Sequence, residues 1–427
     1  MTVCCVVLII FVTWKFLSEI PVFSMHKNTG SAVINRLHYR SNATLNNNIS
    51  FVEPSFQTEM FLVPWIFTKH IAPRIMERLR TLVVTRDCLF STMNTKHQNT
   101  VLQWNESRQI IYECRGICGG LGDRMKGIFC VLLHAIAIGY DFRIDWDSRY
   151  SLHPTILLPS SLVDWQTPPS RENKGPWHRM TFLDTRAKSY GLCQWHKYPF
   201  IKIKSNGNPK PDECDVIAPS VKEILNNQSS TMSCMKTIHD STPSGTQCMG
   251  CVWWYLFCMG TSLQKKVLIE FDHLSSWKKA HHLKDAFSIG IHIRSGDSQM
   301  RGTRGRESNL TTLLLQMQTC VSWVVTDLNT SYYGVVVSDS QEAKKIIQMW
   351  NWIDIYPVRT KPFHIDKNIH KNIFQTMEAV LSTLVDIFML AFQDSLLLSG
   401  SSGYGRLAQS VGMYAGSSVV HCVMNVN

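Results

Sequence analysis

The residues best suited to chemistry stand in the octapeptide from Gly290 to Asp297, G-I-H-I-R-S-G-D. Phe287, Ile289, Ile291 and Ile293 alternate as in a strand, so His292 and Arg294 leave it on the same side, near its end. Open α/β sheets bind ligands there. An arginine at such an edge, followed by Ser295 and Gly296, suits bidentate capture of a phosphate: the guanidinium fork matches two phosphate oxygens, and glycine lets the backbone come close. Two further groups follow. Ser338 and Asp339 end the apolar run Y-G-V-V-V-S-D that begins at Tyr333, and Ser401, Ser402 and Gly403 precede a helix after a short strand at Leu396 to Leu398. Serine hydroxyls and backbone N–H groups at a helix start hold anions, aided by the helix dipole. Asp339 is placed to accept hydrogen bonds from a base or ribose, with His292 as a second polar contact. Each group alone has a plainer reading as an ion pair, a turn or N-cap, or a flexible loop. Their occurrence in order is what makes the set nucleotide-shaped.

A glycine-rich stretch in the first half adds Gly120, Gly122, Asp123 and Arg124. It lacks the G-K-[ST] ending of a P-loop, and Met125 stands where a dinucleotide fingerprint needs a third glycine. Asp123 and Arg124 are expected to face the same cleft and touch a ligand there; the competing reading is a capped helix start with a surface ion pair.

The elements that must position these residues alternate. Met125 to Ile138 reads as a buried helix and Phe142 to Trp146 as a strand, with 202–247 an elaborated, polar loop region. Beyond about Leu268 come the strand ending at Arg294 and a polar loop with Arg301, Arg304 and Arg306. A helix from Leu310 to Leu328, the strand Tyr333 to Asp339, a helix from Ser340 to Trp350 and a strand from Ile353 to Val358 follow. An apolar helix then runs from Phe374 to Gln393. Glu378, Asp386 and Asp394 interrupt or bound that helix, so it is no membrane span. Strands alternating with helices predict parallel sheets flanked on both faces, in two Rossmann-like halves about a cleft.

The chain has 427 residues, enough for two domains, and its 44% hydrophobic and 18% charged residues are a globular mixture. A net charge of +11 comes from scattered Lys and Arg, without a long basic run interleaved with aromatics, which argues against nucleic acid and fits a solvated basic surface or a site for an anionic nucleotide. Residues 1–24 carry an apolar run read as a signal anchor or a signal peptide, and 25–56 read as a polar stem. Residues 57–270 are expected to form an N-terminal Rossmann-like domain and 271–427 a C-terminal, nucleotide-binding domain. Sequons begin at Asn42, Asn48, Asn105, Asn227, Asn309 and Asn329, consistent with a lumenal chain. Removing Cys4 and Cys5 of the leader from the 14 cysteines leaves an even number that six disulfides could absorb. Cys248 and Cys251 have C-x-x-C spacing but no second knuckle, which favours structural disulfides over a metal.

The stretch C-R-G-I-C-G-G-L-G-D-R-M-K-G-I from Cys114, continuing to Ile144-Asp145-Trp146, resembles the entry loop and first helix of the bacterial nodulation fucosyltransferases. H-I-R-S-G-D resembles the H-x-R-x-x-D motif of the wider superfamily of α1,6-, α1,2- and protein O-fucosyltransferases, and V-V-V-S-D-S with S-S-G-Y-G-R-L-A resembles its other two donor motifs. About a hundred residues carry the likeness. It implies a GT-B glycosyltransferase, inverting and metal-independent, that uses GDP-fucose as donor substrate and a glycan or glycoprotein hydroxyl as acceptor. With the N-terminal segment read as an anchor and the sequons as lumenal, a type II protein of the Golgi membrane, facing the lumen of the secretory pathway, is expected. By carry-over Arg294 holds the β-phosphate, His292 and Asp339 the guanosine, and Ser401 and Ser402 the diphosphate, with Ser338, Gly403 and Arg406 beside them. The motif Asp145-Trp-Asp147 has D-x-D spacing, yet matches the I-D-W strand end of the family. Asp297 and Glu307 are the candidate bases; Asp297 could instead orient Arg294. A catalytically silent carbohydrate-binding relative and a transferase with another nucleotide sugar are the alternatives.

Overall fold

In the computed structural model, residues 75, 108–114, 120–138, 140–146, 156–159, 165, 177–182, 198–205, 243–295, 307–326, 328, 330–360, 373–400, 402–412 and 419–422 are described. The leader, the stem, Gly296, Asp297, Asp147 and Ser401 lie outside them, as do Arg301, Arg304 and Arg306 and five of the six sequon asparagines. Asn309 lies in a helix.

Two parallel sheets form the frame, as the alternating pattern predicts. In the first, β1 (Gln109–Cys114), β2 (Asp141–Trp146), β4 (His178–Phe182) and β5 (Phe200–Ser205) lie in the order β2-β1-β5-β4. Helix α1 (Leu121–Ile138) crosses from β1 to β2, burying Met125, Ile128, Phe129 and Leu132 in one core with Ile110, Tyr112 and Phe142. A two-stranded antiparallel pair joins β3 (Leu157–Pro159) to β6 (Phe257–Met259). The expected loop region is shorter than its composition suggests: β5 runs to Ser205, and helix α2 (Pro243–Leu256) begins before its end. Apolar side chains of α2 make the difference. Trp253 lies against Phe129, Phe257 and Phe388, and Trp254 donates from its indole to the Val411 carbonyl at 3.1 Å.

The second sheet is built from β7 (Phe287–Ile293), β8 (Tyr332–Ser338), β9 (Asp354–Pro357), β10 (Ser395–Leu398) and β11 (Val419–His421), in the order β11-β10-β7-β8-β9. Helix α3 (Thr261–Ala280) runs through residue 270, where the sequence reading divides the halves, and packs on α6 (Ile373–Ala391). Helices α4 (Glu307–Thr326) and α5 (Gln341–Gln348) cover the opposite face. There Ile289, Ile291 and Ile293 meet Leu314, Met317, Val321 and Ile347. The alternate residues of β7 face the other way. Asp394 fixes the start of β10 against β7, accepting from the Ser288 backbone at 2.8 Å and its hydroxyl at 2.7 Å, which sets the pairing Ser395 to Ile289.

Helix α7 (Gly403–Val411) joins the sheets: it packs on α1 and α2 of the first and on α6 of the second, and both sheets lie in one compact unit, Pro54–Asn427. Among the described residues no helix is long and apolar enough to cross a membrane. Cys320 of α4 is bonded to Cys422 just beyond β11, and Cys114 and Cys248 are also in disulfides. Among the described residues, Cys258 is not in a disulfide.

Candidate functional site

The strand order places the candidate site. The chain steps from β7 to β8 to β9 in one direction, and then returns to lay β10 on the other side of β7. The direction therefore reverses between β7 and β10, and the carboxyl ends of those two strands frame a crevice of the kind that binds ligands in open α/β sheets.

Arg294 emerges at that point. Its backbone N–H donates to Ser399 Oγ at 2.7 Å across the switch, and its Nη1 lies 3.0 Å from Asp339 Oδ2 at the end of the neighbouring β8. The other carboxylate oxygen, Oδ1, accepts from the Ser295 backbone at 2.7 Å and the Ser295 hydroxyl at 2.6 Å. Asp339 is thus committed on both oxygens to the turn that carries Arg294. It holds the arginine rather than standing open to a base or ribose, because the parallel register pairs Ile293 with Ser338 and brings the two strand ends together. The arginine forms an ion pair with Asp339, across the strands. Its side chain keeps 30% of its surface exposed, which leaves the guanidinium reachable.

Ser338 is buried and accepts from the Ser340 backbone at 3.0 Å; Ser340 caps α5, accepting from Ala343 N at 3.1 Å. The S-D-S motif is thereby a turn, an arginine clamp and an N-cap in successive residues.

His292 is not a surface contact. It is 3% exposed, stacks on Tyr404 with ring centroids 5.3 Å apart, and its Nδ1 has no hydrogen-bond partner. Burial, with the charge of Arg294 added, pushes its pKa from the usual 6.5 to about 3, so the ring is neutral. Gly405 makes room for it: a Cβ there would stand 2.9 Å from Nδ1.

Ser402 occupies the N-cap position of α7, but its hydroxyl makes no capping bond; its carbonyl accepts from Arg406 N at 3.0 Å. The first N–H groups of α7, Gly403 among them, therefore have no side-chain cap from Ser402. Arg406 is half-buried, with its Nε unpartnered. Glu307 begins α4, and Asp297 lies outside the described residues, so neither base candidate is placed.

The glycine stretch of the first half reaches the same edge. Asp123 is exposed, accepts from Gly120 N at 3.2 Å as a cap, and its Oδ1 is 3.3 Å from where a Cβ on Gly403 would be. Gly122 touches the Gly403 backbone directly. Arg124 departs from both sequence readings. It is fully buried, donates from Nη1 to Cys114 Sγ at 2.8 Å and lies 5.5 Å from the Trp146 ring centroid, an interior strut shielded from solvent.

Several residues at the edge carry no motif. Ser399 positions Arg294. Asp386, in α6, is fully buried among Thr360, Tyr404 and Lys344, and burial raises its pKa to about 6, against the lowering charge of Lys344. Its sequence signal was a carboxylate within a helix otherwise apolar on nearly every side, which needs a partner. Tyr404 donates to the Thr383 carbonyl at 2.9 Å, and its own pKa is raised by burial and by Asp386. A cavity of about 630 Å³ opens beside this group, lined by Glu270, His273, Arg359, Thr360, Glu378 and Ser382 among others. Among the described residues no three His, Cys, Asp or Glu side chains are placed to hold a metal ion.

No protein family and no curated protein matches the sequence. Among solved structures, the chain is similar to an Arabidopsis thaliana FUT1 mutant in complex with GDP. The identity is 14% and the TM-score 0.45, over 80% of this chain and 78% of that one. It is also similar to the fucosyltransferase NodZ from Bradyrhizobium, at 12% identity and TM-score 0.41, over 71% of this chain and 93% of that one. NodZ alpha-1,6-fucosyltransferase soaked with GDP-fucose gives 13% identity and TM-score 0.40, over 72% and 93%.

Proposed function

We propose that the protein is an inverting glycosyltransferase that moves fucose from GDP-fucose to a glycan or glycoprotein hydroxyl in the lumen of the secretory pathway, anchored by its N-terminal segment, without a metal. The observation that carries the reading is the presentation of Arg294 at the switch point. Asp339 and Ser399 fix it on either side, and the start of α7 follows directly from β10. That pairing of a held guanidinium with a helix N-terminus is what a leaving diphosphate needs.

In the proposed step the acceptor oxygen forms a bond to the anomeric carbon from the face opposite the donor phosphate. The bond from that carbon to the β-phosphate oxygen breaks, and its electron pair leaves on GDP. The acceptor proton passes to a carboxylate base, for which Asp297 and Glu307 remain the candidates. Charge grows on the diphosphate as the bond stretches, and a preorganised donor facing it is worth ~3 kcal/mol, or roughly a hundredfold in rate. The likeness of H-I-R-S-G-D, V-V-V-S-D-S and S-S-G-Y-G-R-L-A to the fucosyltransferase donor motifs supports the choice of donor.

Calorimetric titration with GDP tests the reading. The wild-type protein is expected to bind and Arg294→Ala to lose binding; undiminished affinity in the variant would sink the assignment. Thermal shifts with GDP-fucose, GDP-mannose and UDP-sugars then select the donor, since the ligand that binds raises the midpoint.

A further inference from the structure

Lys344, early in α5, is 4% exposed, although an ammonium in the interior is costly unless it is answered on every side. Its Nζ donates to the carbonyls of Val358 at 2.8 Å and Thr360 at 3.1 Å, the residues by which the chain leaves β9 at the carboxyl edge of the sheet. Thr360 in turn donates its hydroxyl to Asp386 Oδ1. Asp386 is also hydrogen-bonded to Tyr404, whose ring covers His292, two residues before Arg294. The connection from Lys344 to the candidate site is therefore continuous.

The charged and titratable groups about Lys344 come from four directions. From α3 come Glu270 and His273; from the end of β9, Tyr356 and Arg359; from α6, Asp386; from α7, Tyr404. Glu270 Oε1 accepts from Tyr356 Oη at 2.8 Å and Arg359 N at 3.0 Å, and the Arg359 guanidinium lies 3.2 Å from the His273 ring. Thr360, Glu270 and Arg359 line the cavity beside the site, and Lys344 does not.

We propose that Lys344 is a positioning residue for the ligand bound at this edge. It touches no ligand; it holds the turn after β9 and the α6 carboxylate in one arrangement against Tyr404 and the start of α7. The proposal rests on the nucleotide-sugar reading of that edge. A scaffold role alone would need only the two carbonyl bonds. The ammonium also opposes the rise that burial imposes on Asp386, so its loss lifts that carboxyl further and changes the hydrogen bonds it can share with Thr360 and Tyr404.

The test is GDP calorimetry on the full chain, from about pH 5 to 8, for wild type, Lys344→Met and Lys344→Arg, with thermal unfolding at each pH. Wild-type affinity is expected to change with a midpoint near pH 6, the value to which Asp386 is raised. Lys344→Met should bind about tenfold more weakly at neutral pH and move the midpoint up by about one pH unit, while Lys344→Arg returns it toward wild type. Unchanged affinity, or weaker binding with an unmoved midpoint, overturns the proposal, the second outcome marking a plain scaffold. Should Lys344→Met not fold, Thr360→Val keeps the lysine and its backbone bonds but cuts the hydroxyl link to Asp386, and the same midpoint shift is required of it. If wild type binds no GDP at any pH, the nucleotide reading fails and takes the ligand part of this proposal with it. The Lys344–Asp386 coupling is then read without ligand. The unfolding midpoint must titrate at higher pH in Lys344→Met than in wild type, and that difference must vanish in an Asp386→Asn background; an unmoved titration overturns the coupling.

Discussion

Gly122 and Gly403 bring two helix N-termini into direct contact, one from each sheet's half of the chain: a Cβ added to Gly122 would lie 2.4 Å from the Gly403 carbonyl carbon and 2.8 Å from Tyr404 N. Both neighbours are backbone, so no side chain can swing aside. Gly122→Ala is expected to destabilise by about 1–3 kcal/mol through overpacking, outweighing the ~1 kcal/mol that alanine normally adds in a helix. A thermal midpoint lowered by several degrees checks it; a raised midpoint would show that the contact is not kept in solution.

Asp339 spends both carboxylate oxygens on the turn that carries Arg294. Asp339→Asn keeps an acceptor for Ser295 but removes the charge that orients the guanidinium. With Arg294 still partly exposed, the expected cost is a tenfold loss of GDP affinity, about 1.4 kcal/mol, with little change in fold. Calorimetry beside Arg294→Ala separates orientation from presence. Equal losses would mean that Asp339 does more than position.

Two buried groups give stability opposite slopes in acid. His292 has a folded pKa near 3, below its usual 6.5, so the unfolded chain takes up the proton first and the stability it contributes is lost as pH falls through 6.5 toward 3. Asp386 is raised from 3.8 to about 6, so its contribution is fully present below 3.8 and is lost as pH rises through 6. Unfolding midpoints between about pH 4 and 6 should fall less steeply with acid in His292→Asn than in wild type, and more steeply in Asp386→Asn. Parallel curves for all three would refute both assignments.

The Cys320–Cys422 bridge spans 102 residues and ties the three-residue edge strand β11 to α4. Closing so long a loop restrains the unfolded chain by about 3–5 kcal/mol. Cys422→Ser and the double variant with Cys320→Ser should lose the same amount, since either removes the whole bond. A double variant markedly weaker than Cys422→Ser would indicate packing by the thiol of Cys320.

Much of the second sheet is legible in the sequence. The period-two run at Phe287 to Ile293, the unbroken valines at 335–337 and the 19-residue apolar helix at Ile373–Ala391 each announce themselves by local pattern. Boundaries came within a few residues, because a strand buried on both faces and a helix buried on most of its surface tolerate few polar interruptions. Helix α2 escapes local pattern for the opposite reason: its start at Pro243 lies in polar sequence, and only its tryptophans, met across three elements, make it core.

By itself the sequence determined that Arg294 and Asp339 stand at strand ends and Ser402 at the start of a helix, since spacing along a chain fixes which residues leave an element. What each of them touches was decided by tertiary structure alone. Asp339, expected to face a ligand, is drawn to Arg294 because β7 and β8 pair in parallel, with Ile293 beside Ser338. His292 is sealed under Tyr404 because α7 returns over β7, and Arg124 is swallowed by the core behind Trp146. Lys344, Thr360 and Asp386 belong to no motif and meet from α5, the end of β9 and α6. A buried polar group takes whatever partner the packing brings within hydrogen-bond range, and that partner is set by strand order and register across dozens of residues, which no local pattern records.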